Sequence, residues 1–202
     1  MRIGIPAALP VYGLVLCALP AFAQVPLFEQ GPLLAQSHAK HYTNSLAPYV
    51  VSPQQIVDRM LELADPKPGE TVYDLGSGDG RILISAVQHY RAKAVGIEIS
   101  EALVKSTTER IQRLGLQNDA RVVNGDFLQV DLSPADIVTM YLATDVNEML
   151  RPNLEKQLKA GARVVSHEYP IPGWKPKLVD KDLLHQSHNH VIYLYEVQSR
   201  KK

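Results

Sequence analysis

The residues best placed to do chemistry lie in the run Val72-Tyr73-Asp74-Leu75-Gly76-Ser77-Gly78-Asp79-Gly80-Arg81. An apolar pair precedes an acid, three glycines stand at alternate positions, and an apolar run follows from Ile82 to Val87. This pattern predicts a β-strand turning sharply into a helix, with bare backbone against which a ligand can lie. A dinucleotide fingerprint spaces its glycines G-x-G-x-x-G and sets a pyrophosphate on the helix N-terminus. Here Gly76, Gly78 and Gly80 are one residue tighter, with acids at Asp74 and Asp79. Two carboxylates repel a phosphate but attract an ammonium or a sulfonium. The loop therefore points to a cationic ligand, and S-adenosylmethionine carries both of those groups. Glu98 stands 18 residues beyond Gly80, close to the ~20-residue spacing at which an acid meets ribose hydroxyls in nucleotide-binding α/β folds. The plainer alternative for Glu98 is an acid favoured by a helix dipole beside Ser100 and Glu101.

The elements that must position these groups alternate. Ser52-Pro53-Gln54-Gln55 resembles a helix start, with Ser52 as cap, Pro53 first in the helix and Gln55 completing a capping box. Ile56, Met60, Leu61 and Ala64 form its apolar face, and Pro66, Pro68 and Gly69 stop it. Ala94 to Ile99 reads as a strand, and Ser100 caps a helix bearing Leu103, Val104, Ile111 and Leu114. Strands are expected at Arg121–Val123, Ile137–Leu142, Ala162–Ser166, Leu178-Val179 and Val191–Val197. Asn147–Leu158 is helical in pattern, but Pro152 predicts a kink or two short turns. The fold class is α/β: a Rossmann-like, doubly wound, mostly parallel seven-strand sheet with helices on both faces and an antiparallel C-terminal strand. In such a sheet ligands lie at the carboxyl ends of the strands, near the switch in strand order. Asp74, Glu98, Asp126 and Tyr141 all fall at or just past such ends.

The sequence resembles the class I, seven-strand S-adenosylmethionine-dependent methyltransferases. Within them it is similar to the protein-lysine methyltransferases that include the mitochondrial enzymes acting on the ATP synthase c subunit and the adenine nucleotide translocator. The resemblance runs from Pro48-Tyr49-Val50 and Pro53 through Tyr73–Arg81 and Gly96-Ile97-Glu98-Ile99 to Gly125-Asp126. It continues through Val138-Thr139-Met140-Tyr141-Leu142, Val146-Asn147, Leu150-Arg151-Pro152 and Arg163-Val164-Val165-Ser166-His167, covering roughly residues 47 to 176.

The resemblance implies S-adenosylmethionine as cofactor. It also implies that Asp126 accepts from the adenine amino group with Phe127 packed on the ring, although Asn124-Gly125 equally suits a turn aspartate. Tyr49 then closes over the donor, and Asp74 and Asp79 face its amino-acid end, unless Asp79 caps the following helix. Methyl transfer asks the protein to align a nucleophile and shed a proton. Tyr141 is the first candidate for lining the acceptor channel, His167 the second and Asn147 the third. For Tyr141 the alternative is a core aromatic, and for His167 a hydrogen-bonded structural imidazole. No Asn/Asp-Pro-Pro-Tyr run, the mark of many amino-directed DNA methyltransferases, follows the fourth strand. The Asp/Glu-x-x-Tyr motif of another lysine methyltransferase group is absent, since Thr139 stands three residues after Asp136. The acceptor is expected to be an amine of a protein lysine; the alternatives are a small molecule, or a non-catalytic exported scaffold that keeps the fold.

Charge bounds the partners. The chain has 21 basic and 21 acidic residues, which gives no electrostatic case for tight nucleic-acid binding. Residues 1–23 begin with Met1-Arg2, continue apolar and end in Ala21-Phe22-Ala23, as a cleaved secretory signal does. They are also near the ~20 residues of a spanning helix. The expectation is export, with membrane association through residues 3–23 or a mitochondrial address as alternatives. The single cysteine, Cys17, falls in this segment after Leu16, too large for a lipobox. A mature chain lacking cysteine has no cysteine nucleophile for methylating a pyrimidine carbon. Residues 24–46 read as a linker or lid, and 47–202 as the methyltransferase domain. His185, His188 and His190, with His38 and His41, invite a metal, but no cysteine or neighbouring acid completes a set, so none is expected.

Overall fold

The computed structural model describes residues 49–185 and 188–199. The expected signal at 1–23 and the linker at 24–46 lie outside the described residues, as do His38 and His41. In chain order the elements are α1 (Gln54–Ala64), β1 (Thr71–Leu75), α2 (Arg81–Tyr90), β2 (Lys93–Glu98), α3 (Glu101–Arg113) and β3 (Ala120–Asn124). They continue with β4 (Ile137–Met140), α4 (Thr144–Gln157), β5 (Arg163–His167), β6 (Leu178–His185) and β7 (His188–Glu196).

The strands form one seven-stranded sheet in the order β3-β2-β1-β4-β5-β7-β6. The first five are parallel, and β7 inserts antiparallel between β5 and β6. Period-two alternation sends successive strand residues to opposite faces. Val72, Ala94, Ile137 and Val165 pack with α1, α2 and Ile111 of α3; Tyr73, Val95, Val138 and Val164 pack with Val146, Leu150 and Leu154 of α4. Helices thus cover both faces, as the alternating pattern requires. The chain leaves β1 in opposite directions, towards β2 on one side and β4 on the other, which opens a crevice at the strands' carboxyl ends. Among the described residues, no helix is long and apolar enough to cross a membrane.

Two local expectations are corrected. Ser52 does not cap α1: Pro53 occupies the cap position, without a side-chain bond, and the Ser52 hydroxyl turns instead to His167. Pro152 neither ends nor divides its helix. It lies exposed within a continuous α4 that starts at Thr144, and the apolar face of Val146, Leu150 and Leu154 holds the element together around the missing N–H. By contrast, Ser100 caps α3 as expected, accepting from the Leu103 N–H.

Candidate functional site

The cavity at the switch point begins with the glycine loop. Gly76, Gly78 and Gly80 all have positive φ, at 79°, 53° and 73°. At Gly78 a β-carbon would lie 2.6 Å from the Tyr49 ring, and at Gly80 it would collide with Thr107. Left-handed backbone and close packing both demand glycine here. Thr107 also fixes the loop by donating to the Gly78 carbonyl at 2.8 Å. Tyr49 therefore lies on the loop and lines the cavity, as expected.

Two buried acids form its floor. Asp74, 4% exposed, stands one residue before the end of β1 and accepts from Thr139 Oγ1 at 2.7 Å. Burial pushes its carboxyl from 3.8 up to about 7; the Thr139 bond opposes the rise, and the Asp79 and Glu98 charges add to it. A carboxyl held partly neutral by burial is a site that a cation can occupy. Glu98, at the end of β2, accepts from the N–H groups of Gly78 and Ser100, each at 2.9 Å through a different oxygen. Those bonds knit the glycine loop to the neighbouring strand, and each carboxylate oxygen retains a lone pair for a further donor.

Asp79 departs from expectation. It lines the cavity, but Arg81 binds it through Nε at 2.9 Å and Nη2 at 2.7 Å, and Arg110 approaches to 3.5 Å. Burial pushes its carboxyl up, but the arginines outweigh this and hold it below its ordinary value. Its charge is answered within the protein rather than offered to a ligand's cation. It also serves the start of α2, accepting from the Arg81 N–H at 3.3 Å, although the cap position itself is Gly80. The pattern gave no warning that Arg81 would fold back, where it also donates to the Ser52 carbonyl at 2.6 Å.

At the other side Asp126 forms a turn, accepting from the Leu128 N–H at 2.9 Å, and lines the cavity with Phe127. The turn role and an exposure to ligand coexist, since the turn uses only one carboxylate oxygen. Tyr141 follows β4 and also lines the cavity, half-buried, its hydroxyl pushed up to about 12 by burial and the nearby Glu168 and Tyr169. It is therefore a site aromatic, and not only a core one. His167 is fully buried beneath it, ring centres 4.1 Å apart, and Tyr169 stacks on Tyr141 at 6.1 Å.

Asn147 is corrected. It is fully buried and donates to Ser166 Oγ and the carbonyls of Tyr169 and Pro170 at 3.1 to 3.4 Å. It shapes the turn after β5 and is not among the residues lining the cavity. The histidine reading also changes. His190 on β7 stands 3.0 Å from His167 and 2.6 Å from Glu168, so an acid does complete a set. Glu168 adjoins His167 in sequence, but only antiparallel pairing of β5 with β7 brings His190 to them. The side chains of His185 and His188 lie outside the described residues.

A glycine cradle, buried acids and a nucleotide-spaced Glu98 at the switch point fit a ligand with a cationic amino-acid end and a ribose. This fold and site define a seven-strand methyltransferase that uses S-adenosylmethionine. The family model of the ANTKMT methyltransferase domain matches residues 74–178, and the chain belongs to that family. It is 48% identical over 155 residues to a protein-lysine N-methyltransferase of Saccharolobus islandicus, covering 76% of this chain and 96% of that one. It is 34% identical to the mouse adenine nucleotide translocase lysine N-methyltransferase, covering 83% of this chain and 68% of the relative. Among solved structures, an RNA methyltransferase from Salinibacter ruber in complex with S-adenosyl-L-homocysteine is 38% identical, with a TM-score of 0.70, covering 76% of this chain and 97% of that one.

Proposed function

We propose that this protein transfers a methyl group from S-adenosylmethionine to the side-chain amine of a protein lysine. The observation that carries the acceptor class is the 48% identity to a protein-lysine N-methyltransferase over 96% of its length. When bound, the cofactor supplies a methyl group already activated on a sulfonium. Asp74 holds the cationic end, Glu98 receives the ribose hydroxyls on its remaining lone pairs, and Asp126 with Phe127 takes the adenine. Tyr49 closes the glycine loop from above. Tyr141 and Tyr169 line the approach of the acceptor; an aromatic, partly desolvated wall favours the neutral amine, whose free pKa is ~10.4. The apolar residues 3–23 with Ala21-Phe22-Ala23 support export of the domain.

The experiment supplies isotopically labelled donor and the purified chain to the protein, RNA and small-molecule fractions of the same extract. Label on lysine, identified by mass spectrometry, is the expected result. Label confined to RNA would overturn the acceptor reading in favour of the chemistry named for the Salinibacter neighbour, and label confined to metabolites would make it a small-molecule enzyme.

A further inference from the structure

His167, Glu168 and His190 form a cluster that donor binding does not use. His167 Nε2, His190 Nδ1 and Glu168 Oε1 are separated by 3.0, 2.6 and 3.3 Å. Zinc held at ~2.0–2.1 Å by such ligands spaces them about 3.3 Å apart, the edge of a tetrahedron. A triangle of the observed size has its centre about 1.7 Å from each corner, so an ion ~2 Å from all three stands only about 1 Å out of their plane. The donors need tenths of an ångström, not a rearrangement.

Three further observations agree. The Ser52 hydroxyl lies 2.9 Å from His167 Nδ1, the outer bond that orients a metal-binding imidazole and turns Nε2 to the ion. Glu168 has φ of 64°, and the Tyr169 N–H reaches back to the His167 carbonyl at 2.8 Å. This tight three-residue turn is costly for a residue other than glycine. It holds the carboxylate against the two imidazoles. His190 and Glu168 side chains retain 9% and 14% exposure, which leaves an entry path while His167 is sealed.

We propose that His167, Glu168 and His190 bind one divalent zinc-class ion, with two imidazoles and one carboxylate as ligands. The ion ties the end of β5 to β7 and, through Ser52, to the start of α1, directly beneath Tyr141. This holds whatever the acceptor, so it stands apart from the lysine reading.

The test is titration of the chelator-stripped full chain with zinc against a competing chelator, for wild type, Glu168→Gln, His190→Gln and Ser52→Ala. Circular dichroism and S-adenosylhomocysteine binding confirm that each sample is folded. Glutamine at 168 keeps an acceptor oxygen, so a merely hydrogen-bonded cluster tolerates it, whereas a metal site loses its only charge. One equivalent bound by wild type, lost in the two ligand variants and weakened ~10–100-fold in Ser52→Ala, is the expected result. Folded, donor-binding wild type that takes up no zinc overturns the proposal. So does uptake unchanged in both ligand variants, which would put the ion on other histidines of the chain.

Discussion

Replacing Asp74 by Asn separates what this carboxylate does for the ligand from what it does to the fold. Burial holds the group at about 7 instead of 3.8. The folded protein therefore binds this proton more tightly than the unfolded chain does. Its contribution to stability declines as pH climbs from about 4 to about 7, then stays level. The full decline is about 4 kcal/mol, of which about 2–3 kcal/mol falls between about pH 5 and about pH 8. Asn keeps an oxygen for the Thr139 hydroxyl but carries no charge, so the variant lacks the decline.

Urea unfolding of the unliganded protein across that range is the assay. The stability of D74N relative to wild type should grow by those 2–3 kcal/mol or so as pH rises. Donor affinity should move the other way. In wild type the proton must leave before a cation can settle, so affinity weakens about tenfold for each pH unit below about 7. D74N binds weakly, with no such dependence. Unfolding curves of the two proteins that stay parallel across the range would refute the reasoning, because Asp74 would then already be ionised at the acid end.

Other substitutions probe the remaining parts. Glu98→Ala removes charge-assisted bonds to the Gly78 and Ser100 N–H groups as well as the ribose acceptor, at ~1.5–3 kcal/mol each; calorimetry should show donor affinity reduced at least about a hundredfold. Gly78→Ala puts a methyl against Tyr49 in left-handed backbone that costs ~1–2 kcal/mol, so both the melting temperature and donor affinity should fall. Asn147→Ala should lower stability by about 1–3 kcal/mol through the orphaned Pro170 carbonyl, while the Tyr169 carbonyl keeps its bond from the Ser166 hydroxyl. Its donor affinity should match wild type, and a selective loss of acceptor turnover without loss of stability would contradict the shaping role.

The donor end of the cavity was legible because it is local. Strand, acid, glycine turn and helix follow one another from Val72 to Val87, so the pattern is readable before its distant partners Tyr49, Thr107 and Thr139 are known. Ser100 was legible for the same reason. Ser52 was misread by that local logic, and Asp79 only partly read. Ser52 had a plausible short-range partner, a helix N-terminus, but is captured by His167, 115 residues on; Asp79 keeps a bond from its helix start, while its charge is taken by Arg81 and Arg110. Local capping is worth ~1 kcal/mol, and a bidentate, partly buried arginine competes well with that.

The acceptor end obeys the opposite rule. Tyr141 was separable from core residues only by where its strand ends, and His190 joins His167 only through the register that pairs His167 with Ile192. Shifting that register by one residue would turn the inward side chains of β7 to the other face and leave Glu168 without the imidazole it now meets. The antiparallel insertion of β7 thus does more than close the sheet. It supplies the last member of a cluster beneath Tyr141, so the packing under that ring depends on the final strand of the fold, whereas the glycine cradle depends on the first.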